Sequence, residues 1–312
     1  MKCIIQIPAY NEEKTLPLTL SKLPKKLPGI STLEYLIIND GSSDSTTTIA
    51  KENGVHHIIN FIENKGLAKA FCAGIDYCLK QNADIIVNTD ADNQYNADDI
   101  EKLIEPIIKK QAEIVIGERP IATTKEFSWT KKKLQKLGSF VVRKISGTNI
   151  KDAPSGFRAI SRNAALQINI FNEYTYTIEM IIQAGRKGIP TLSIPIRTNK
   201  AERPSKLVKS IPSYIKRSLS TMVRIFNTYK PLYTFLIIGI FLLLIGIILG
   251  LRWILLYMGE GQALHIPSLI LTAIFIVVGS QFCIFGLVAD LVSVNRKLLE
   301  DIQYKIRQNY YK

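Results

Sequence analysis

A chain of 312 residues has room for one large folded domain or two small ones, and 47% apolar residues beside 21% charged ones point to segregation, with the apolar residues gathered in one stretch. The net charge of +14 implies an anionic partner: nucleic acid, a phosphorylated substrate or an acidic membrane face. The four cysteines (Cys3, Cys72, Cys78 and Cys283) contain no CxxC pair, and the three histidines (His56, His57 and His265) are scattered, which argues against a zinc site or a disulfide framework and for reduced core thiols on the cytosolic side.

The chain opens on KCIIQIP, an apolar run too short for the hydrophobic region of a secretory signal, and is expected to start with a strand. Further β-like runs follow Cys3–Ile7, at Tyr35–Ile38, His57–Phe61, Ile85–Val87 and Ile114–Ile116. Helical stretches separate them, at Glu12–Leu27, Asp44–Asn53, Leu67–Gln81 and Ala97–Lys110. Such alternation predicts an α/β fold with a mainly parallel sheet covered on both faces. Ligands of these sheets sit at the carboxyl ends of the strands, so the residues there carry the functional reading.

Between Ser210 and Tyr229 the pattern predicts an amphipathic helix, with Pro212 in its first turn. Ile215, Leu219, Met222 and Phe226 form one face and Lys216, Arg217, Ser220 and Arg224 another. The basic face and the position immediately before a membrane span favour a helix lying in the interface over an ordinary amphipathic helix covering the sheet. Leu232–Leu251 and Pro267–Ala289 then carry no charge. Twenty helical residues at about 1.5 Å each span the roughly 30 Å of a bilayer core, so both are expected to cross a membrane. Lys and Arg crowd the segment before them and the tail after them, which places both termini in the cytosol by the positive-inside bias. Gly246 and Gly250 form a GxxxG spacing that packs either this hairpin or a homo-oligomer. The expected division is 1–205 for the catalytic domain, 206–230 for the basic juxtamembrane region, 231–292 for the two spans and 293–312 for a cytosolic amphipathic tail.

Three strand ends stand out: PAYNE at Pro8–Glu12, NDGSSD at Asn39–Asp44 and DADNQ at Asp90–Gln94. Taken singly, Asn11 and Asp44 read as helix caps and Asp40-Gly41 as a turn. Asp90, Asp92 and Gln94 ask for more. In extended chain they share one side, so two carboxylates and an amide oxygen converge. Adjacent carboxylates repel unless a cation or proton lies between them. Hard oxygen ligands suit Mg²⁺ or Mn²⁺, with diphosphate oxygens completing the shell.

In this order, the three motifs resemble those of the inverting GT-A glycosyltransferases of family 2. GERP at Gly117–Pro120, Asp152 with PSGFRA at Pro154–Ala159, YTIEM at Tyr176–Met180 and RPSKL at Arg203–Leu207 extend the resemblance to the polyprenyl-phosphate branch of that family, over essentially the whole chain. The resemblance implies a GT-A catalytic domain that moves a sugar from a UDP- or GDP-sugar to polyprenyl phosphate at the cytosolic face of a membrane. By it, Pro8, Tyr10, Glu12 and Asp40 hold the base and ribose of the donor, Asp90 lies near the ribose or the metal, and Asp92 with Gln94 binds the metal. Arg119 meets the acceptor phosphate, and Arg203 and Lys206 meet the donor diphosphate or the acceptor. The family often has GSR where this chain has Gly117-Glu118-Arg119, and GxSK where it has Arg203-Pro204-Ser205-Lys206. Its second phosphate-binding arginine has no clean counterpart; Lys131, Lys132, Lys133 or Arg143 substitutes, the lysine run reading equally as a solvated face.

A phosphate acceptor needs no general base, because its second pKa near 6 leaves it largely dianionic at neutral pH. It needs positioning and cations. Asp152 and Glu179 are candidates for sugar contacts, or for a base if the acceptor is a saccharide or lipid hydroxyl. A non-catalytic membrane subunit that binds nucleotide sugar is the reading from another class, against which the intact DADNQ speaks. Nucleic-acid binding lacks a recognition motif.

Overall fold

The computed structural model describes residues 1–120, 129–170, 176–199, 231–260 and 266–311. The side chains of 129–135 and 259–260 fall outside it, as do Arg203, Lys206 and the expected amphipathic helix. The chain forms two compact units, one of Met1–Thr221 with Tyr304–Lys312, the other of Met222–Gln303.

The first unit is built on one seven-stranded sheet. β1 (Lys2–Ala9), β2 (Thr32–Asn39), β3 (His57–Asn60), β4 (Ile85–Asn88), β5 (Ile114–Glu118), β6 (Arg158–Ser161) and β7 (Thr191–Pro195) lie in the order β3-β2-β1-β4-β6-β5-β7. Only β6 runs against its neighbours; β1 pairs in parallel with β2 and β4, β2 with β3, and β5 with β7. The mainly parallel sheet expected from the alternation is therefore present. β1 explains why: Cys3, Ile4, Ile5 and Ile7 are all fully buried, as a β-branched run must be when helices cover both faces.

The helices are α1 (Leu16–Lys22), α2 (Thr46–Glu52), α3 (Leu67–Lys80), α4 (Ile100–Ile108), α5 (Trp129–Ser146), α6 (Arg162–Gln167) and α7 (Tyr176–Arg186). α1 is shorter than the apolar pattern from Glu12 to Leu27 predicts. The chain leaves the helix at Leu23, whose ψ of 140° is the extended geometry that a following proline, Pro24, imposes. A single 3₁₀ turn, Ala97–Asp99, precedes α4.

Strand order places the functional edge. β1 feeds β2 on one side and abuts β4 on the other, so the carboxyl ends of β1 and β4 flank the point where the winding reverses. Antiparallel β6 begins where β4 ends, since Asn88 pairs with Arg158. The loop entering β6 and the end of β5 therefore reach the same edge.

In the second unit, α8 (Pro231–Glu260) and the long α9 (Ile266–Tyr310) both contain stretches long and apolar enough to cross a membrane. Phe241, Ile248 and Leu255 are each more than 60% exposed, an outward apolar surface that a core helix of a soluble protein would bury. The helices meet at their glycines. A Cβ on Gly246 would lie 2.9 Å from the side chain of Ile276, and one on Gly250 would lie 3.1 Å from that of Thr272, so the GxxxG spacing packs this hairpin.

Candidate active site

The loops after β1 and β2 interlock. Asn11 accepts at Oδ1 from the Ser43 N–H at 2.9 Å, and the Asn11 N–H donates to Ser42 Oγ at the same distance. Glu12 N–H donates to Thr46 Oγ1 at 2.9 Å, and Glu13 N–H to Asp44 Oδ2 at 3.1 Å. Asn11 and Asp44 thus tie PAYNE to NDGSSD; Asp44 Oδ1 also accepts from the Thr46 N–H at 3.0 Å in the first turn of α2, as the cap reading expects, whereas the N-cap position of α1 is Thr15 and not Asn11. Asn11 takes a left-handed φ of 54°, which asparagine tolerates better than most residues.

Asp40, 4% exposed, accepts from the backbone N–H groups of Lys65 at 2.7 Å and Gly66 at 2.9 Å, on the approach to α3. Gly41 makes this possible: its φ is 69°, and a Cβ there would lie 2.4 Å from the backbone of Glu63. Pro8 is buried and Glu12 nearly so, with Thr15 Oγ1 donating to its carboxylate at 2.8 Å, while Tyr10 stands 41% exposed. Four residues expected to hold the nucleotide thus share one edge of the sheet.

DADNQ follows β4 as a turn, not as extended chain, with Asn93 at a φ of 55°. Alternation along a strand therefore does not align Asp90, Asp92 and Gln94; the turn brings the two carboxylates together, and Asp92 Oδ1 accepts from the Gln94 N–H at 3.2 Å. Burial pushes the Asp90 carboxyl up to about 7, reinforced by the charges of Asp92 and Glu12 and opposed by Arg119 and Arg158. Among the described residues no group of three or more His, Cys, Asp and Glu side chains is arranged to hold a metal. The donor set still fits Mg²⁺ or Mn²⁺: a part-buried carboxyl whose pKa is raised by desolvation and then by its acidic neighbours is one that a cation would relieve, with ligand oxygens filling the rest of the shell.

Arg119, just beyond β5, grips Asp152. Its Nε donates to Oδ2 at 2.7 Å, its Nη2 to Oδ1 at 3.0 Å and its N–H to Oδ2 at 3.2 Å. The Arg119 side chain is 18% exposed and that of Asp152 fully buried. Burial works against the guanidinium charge, but Tyr95, Asp152 and Asp90 outweigh it and hold the arginine firmly protonated.

Around this pair lies a frame that the motifs only hinted at. Fully buried Arg158 donates to the carbonyls of Ser155 at 2.7 Å, Ala153 at 2.8 Å and Thr177 at 2.9 Å, fixing the loop that carries Asp152 to the start of α7. Burial brings its guanidinium down to about 10. Tyr95 stacks on Phe157 at 5.0 Å and accepts from the Gly156 N–H at 3.0 Å, while Asn88 donates to the Gly156 carbonyl at 2.8 Å. A Cβ on Gly156 would come within 3.0 Å of the Asp90 carboxylate and 3.4 Å of Tyr176 Oη. Arg158 and Gly156 lie within PSGFRA, whose buried arginine is the signal that would have marked the frame. Tyr95 and Asn88 flank DADNQ without one.

Of the remaining expected residues, Lys131, Lys132 and Lys133 fall in α5, whose Ser139 Oγ accepts from the Ala153 N–H at 3.3 Å. Arg143 lies in the last turn of α5 with its guanidinium over the Phe140 ring. Glu179 is buried in α7, where Gln183 donates to it at 3.3 Å.

The sequence model of Glycosyl transferase family 2 matches residues 4–168. An undecaprenyl-phosphate mannosyltransferase of Micrococcus luteus is 29% identical over 206 residues, covering 63% of this chain and 83% of that protein. A UDP-N-acetylglucosamine–dolichyl-phosphate N-acetylglucosaminyltransferase of Methanococcus voltae is 33% identical over 217 residues, 62% of this chain and 83% of that one. Among solved structures, glucosyl-3-phosphoglycerate synthase of Mycobacterium tuberculosis, crystallised with Mn²⁺, UDP and glucosyl-3-phosphoglycerate, shares the fold at a TM-score of 0.54 and 17% identity, over 71% of this chain and 79% of that one.

Proposed function

The chain belongs to glycosyl transferase family 2, with a GT-A fold, and from that premise we propose that it transfers a sugar, with inversion, from a UDP- or GDP-sugar to polyprenyl phosphate at the cytosolic face of a membrane. The observation that carries this reading is the part-buried Arg119–Asp152 pair set beside Asp90. It would give this edge of the sheet two half-sites of opposite sign. The carboxylates of Asp90 and Asp92, with Gln94, would hold a divalent cation against the donor diphosphate. Arg119 would hold the acceptor phosphate, with Lys131–Lys133 or Arg143 as the second cation, and Arg203 and Lys206 would close on either phosphate. Pro8, Tyr10, Glu12 and Asp40 would receive the base and ribose.

A bound Mg²⁺ or Mn²⁺ supplies charge neutralisation of the departing nucleoside diphosphate. The protein's own part is orientation, which a phosphate acceptor needs more than a base. Asp152 favours such an acceptor over a hydroxyl, because both of its oxygens already accept from Arg119 and it is fully buried, poorly placed to take a proton. The names of the mannosyl- and N-acetylglucosaminyltransferase relatives, both specifying lipid phosphates, support the same reading.

In this account the apolar stretches of α8 and α9, about 232–251 and 267–289, cross the bilayer with both termini in the cytosol, and the basic residues of 206–230 would favour anionic headgroups. Incubating the full chain in lipid nanodiscs with a panel of nucleotide sugars, Mg²⁺ or Mn²⁺ and polyprenyl phosphate should yield a glycolipid and free nucleoside diphosphate. Asp92→Ala should abolish both products; full activity in that variant would refute the role given to DADNQ.

A further inference from the structure

β7 does not end the chain's engagement with the site. Beyond Pro195 it runs back along the turn that follows β4, and the hydrogen bonds gather there. The Asn96 N–H donates to the Arg197 carbonyl at 3.3 Å, and Thr198 forms an isolated antiparallel bridge with Tyr95. The Asn199 N–H then donates to the Gln94 carbonyl at 2.8 Å. The Asn199 side-chain amide donates to the Asn93 carbonyl at 2.9 Å and lies 3.4 Å from that of Tyr95 and 3.3 Å from Asn93 Oδ1. Three consecutive backbone carbonyls, those of Asn93, Gln94 and Tyr95, thus end on one residue.

Within the turn itself Asn93 takes a left-handed φ of 55°, and the internal bond from the Gln94 N–H to Asp92 stands at 3.2 Å, the upper end of the ordinary range, so the bonds from Asn199 are the shorter ones holding it. Asn199 is itself held from behind. Arg197 donates to fully buried Asp99 through its N–H at 2.6 Å, its Nη2 at 2.9 Å and its Nε at 3.1 Å.

We infer that Asn199 is a positioning residue for the cation site: it holds the Asn93–Tyr95 turn in the shape that presents Asp92 and Gln94 beside Asp90. This rests on the cation-site reading above.

The test is Mn²⁺ binding to the full chain in nanodiscs, without nucleotide or acceptor, followed by calorimetry or by loss of the free-Mn²⁺ electron paramagnetic resonance signal. Asn199→Ala should weaken Mn²⁺ about 10-fold, the lower end of what removal of a residue supporting a metal ligand costs. Asn199→Leu, which keeps the branched outline and the number of heavy atoms but loses the donor, should do the same, each variant being assayed below its own thermal midpoint. Asp92→Ala separates the two layers of argument. If it retains wild-type Mn²⁺ affinity, the cation-site reading fails and this inference with it. If it loses the ion while both Asn199 variants keep wild-type affinity, the cation site stands and the positioning role of Asn199 is overturned.

Discussion

Arg119 and Asp152 meet as a two-pronged pair, Nε to Oδ2 at 2.7 Å and Nη2 to Oδ1 at 3.0 Å, with the carboxylate wholly out of water. The geometry demands a guanidinium, since a lysine ammonium is a point charge and cannot span both oxygens. Removing either partner strands the other, so Asp152→Ala should lower the stability of the first unit by about 3–5 kcal/mol. In a double-mutant cycle with Arg119→Ala, read by urea unfolding, the two losses should fall well short of additive. Additive losses would mean that the pair is not coupled.

Gly41 follows Asp40 in the loop after β2 and packs against the Glu63–Asn64 backbone of the segment that brings Lys65 and Gly66 to Asp40. Its left-handed φ of 69° alone penalises any side chain by about 1–2 kcal/mol, and a Cβ would overlap the Glu63 backbone at 2.4 Å. Gly41→Ala should therefore cost more than ~2 kcal/mol by thermal or urea unfolding. It should also weaken nucleotide binding, measured by UDP and GDP titration, because Asp40 loses its partners.

The pH dependence of stability should carry a signature of Asp99. Burial raises its pKa, but hydrogen bonds from Arg197 and Lys102 outweigh burial and leave it below the ordinary value of 3.8. A depressed folded-state pKa contributes stability above the unfolded value, lost as pH falls through the folded one. Asp99→Asn should be less stable than the parent at pH 7, and the gap should close as the pH drops below about 3.8. Urea midpoints at pH 7 and pH 3 give the comparison, and an equal gap at both would exclude the pair as its source.

Near the other end of the chain, Arg307 donates to the Ile168 carbonyl at 2.9 Å, Asn169 Oδ1 at 3.0 Å and Asp76 Oδ1 at 3.1 Å, while Arg162 donates to the Tyr311 carbonyl. Tyr304–Lys312 is thereby part of the first compact unit. Hydrogen bonds from a charged donor contribute about 1.5–3 kcal/mol, so Arg307→Ala should destabilise that unit by roughly this amount and speed limited proteolysis at the C-terminus. Unchanged cleavage would show the contact to be incidental.

The first five strands were legible because parallel strands covered by helices are written as near-continuous apolar runs, such as CIIQI in β1, broken only by Gln6, and IIV in β4. The strand-end motifs were legible for the complementary reason: polar residues just past such runs must lie at the sheet's carboxyl edge. β6 was not. It opens on Arg158, whose charge reads as surface until the carbonyls of Ala153, Ser155 and Thr177 are in place around it. The clasp of Asp99 and Arg197 and the support of the DADNQ turn by Asn199 join residues far apart in sequence, and neither leaves a local pattern. In the amphipathic tail the charge of Arg307 counts toward membrane orientation, and nothing local in the sequence marks its three partners, Ile168, Asn169 and Asp76. DADNQ was read in extended geometry, which made the pairing of Asp90 with Asp92 a matter of alternation; the structure achieves it through a turn.

The central claim is that a lipid-linked phosphate accepts the sugar. Once the donor is identified, it is tested most directly by offering the full chain two lipids of equal length, a polyprenyl phosphate and the corresponding polyprenol, with Mg²⁺ or Mn²⁺. The account predicts glycolipid from the phosphate alone, with Arg119→Ala reducing the yield at least 10-fold by loss of a charge-assisted contact worth about 1.5–3 kcal/mol. Equal glycosylation of the polyprenol, or transfer to a saccharide hydroxyl with none to polyprenyl phosphate, would contradict it.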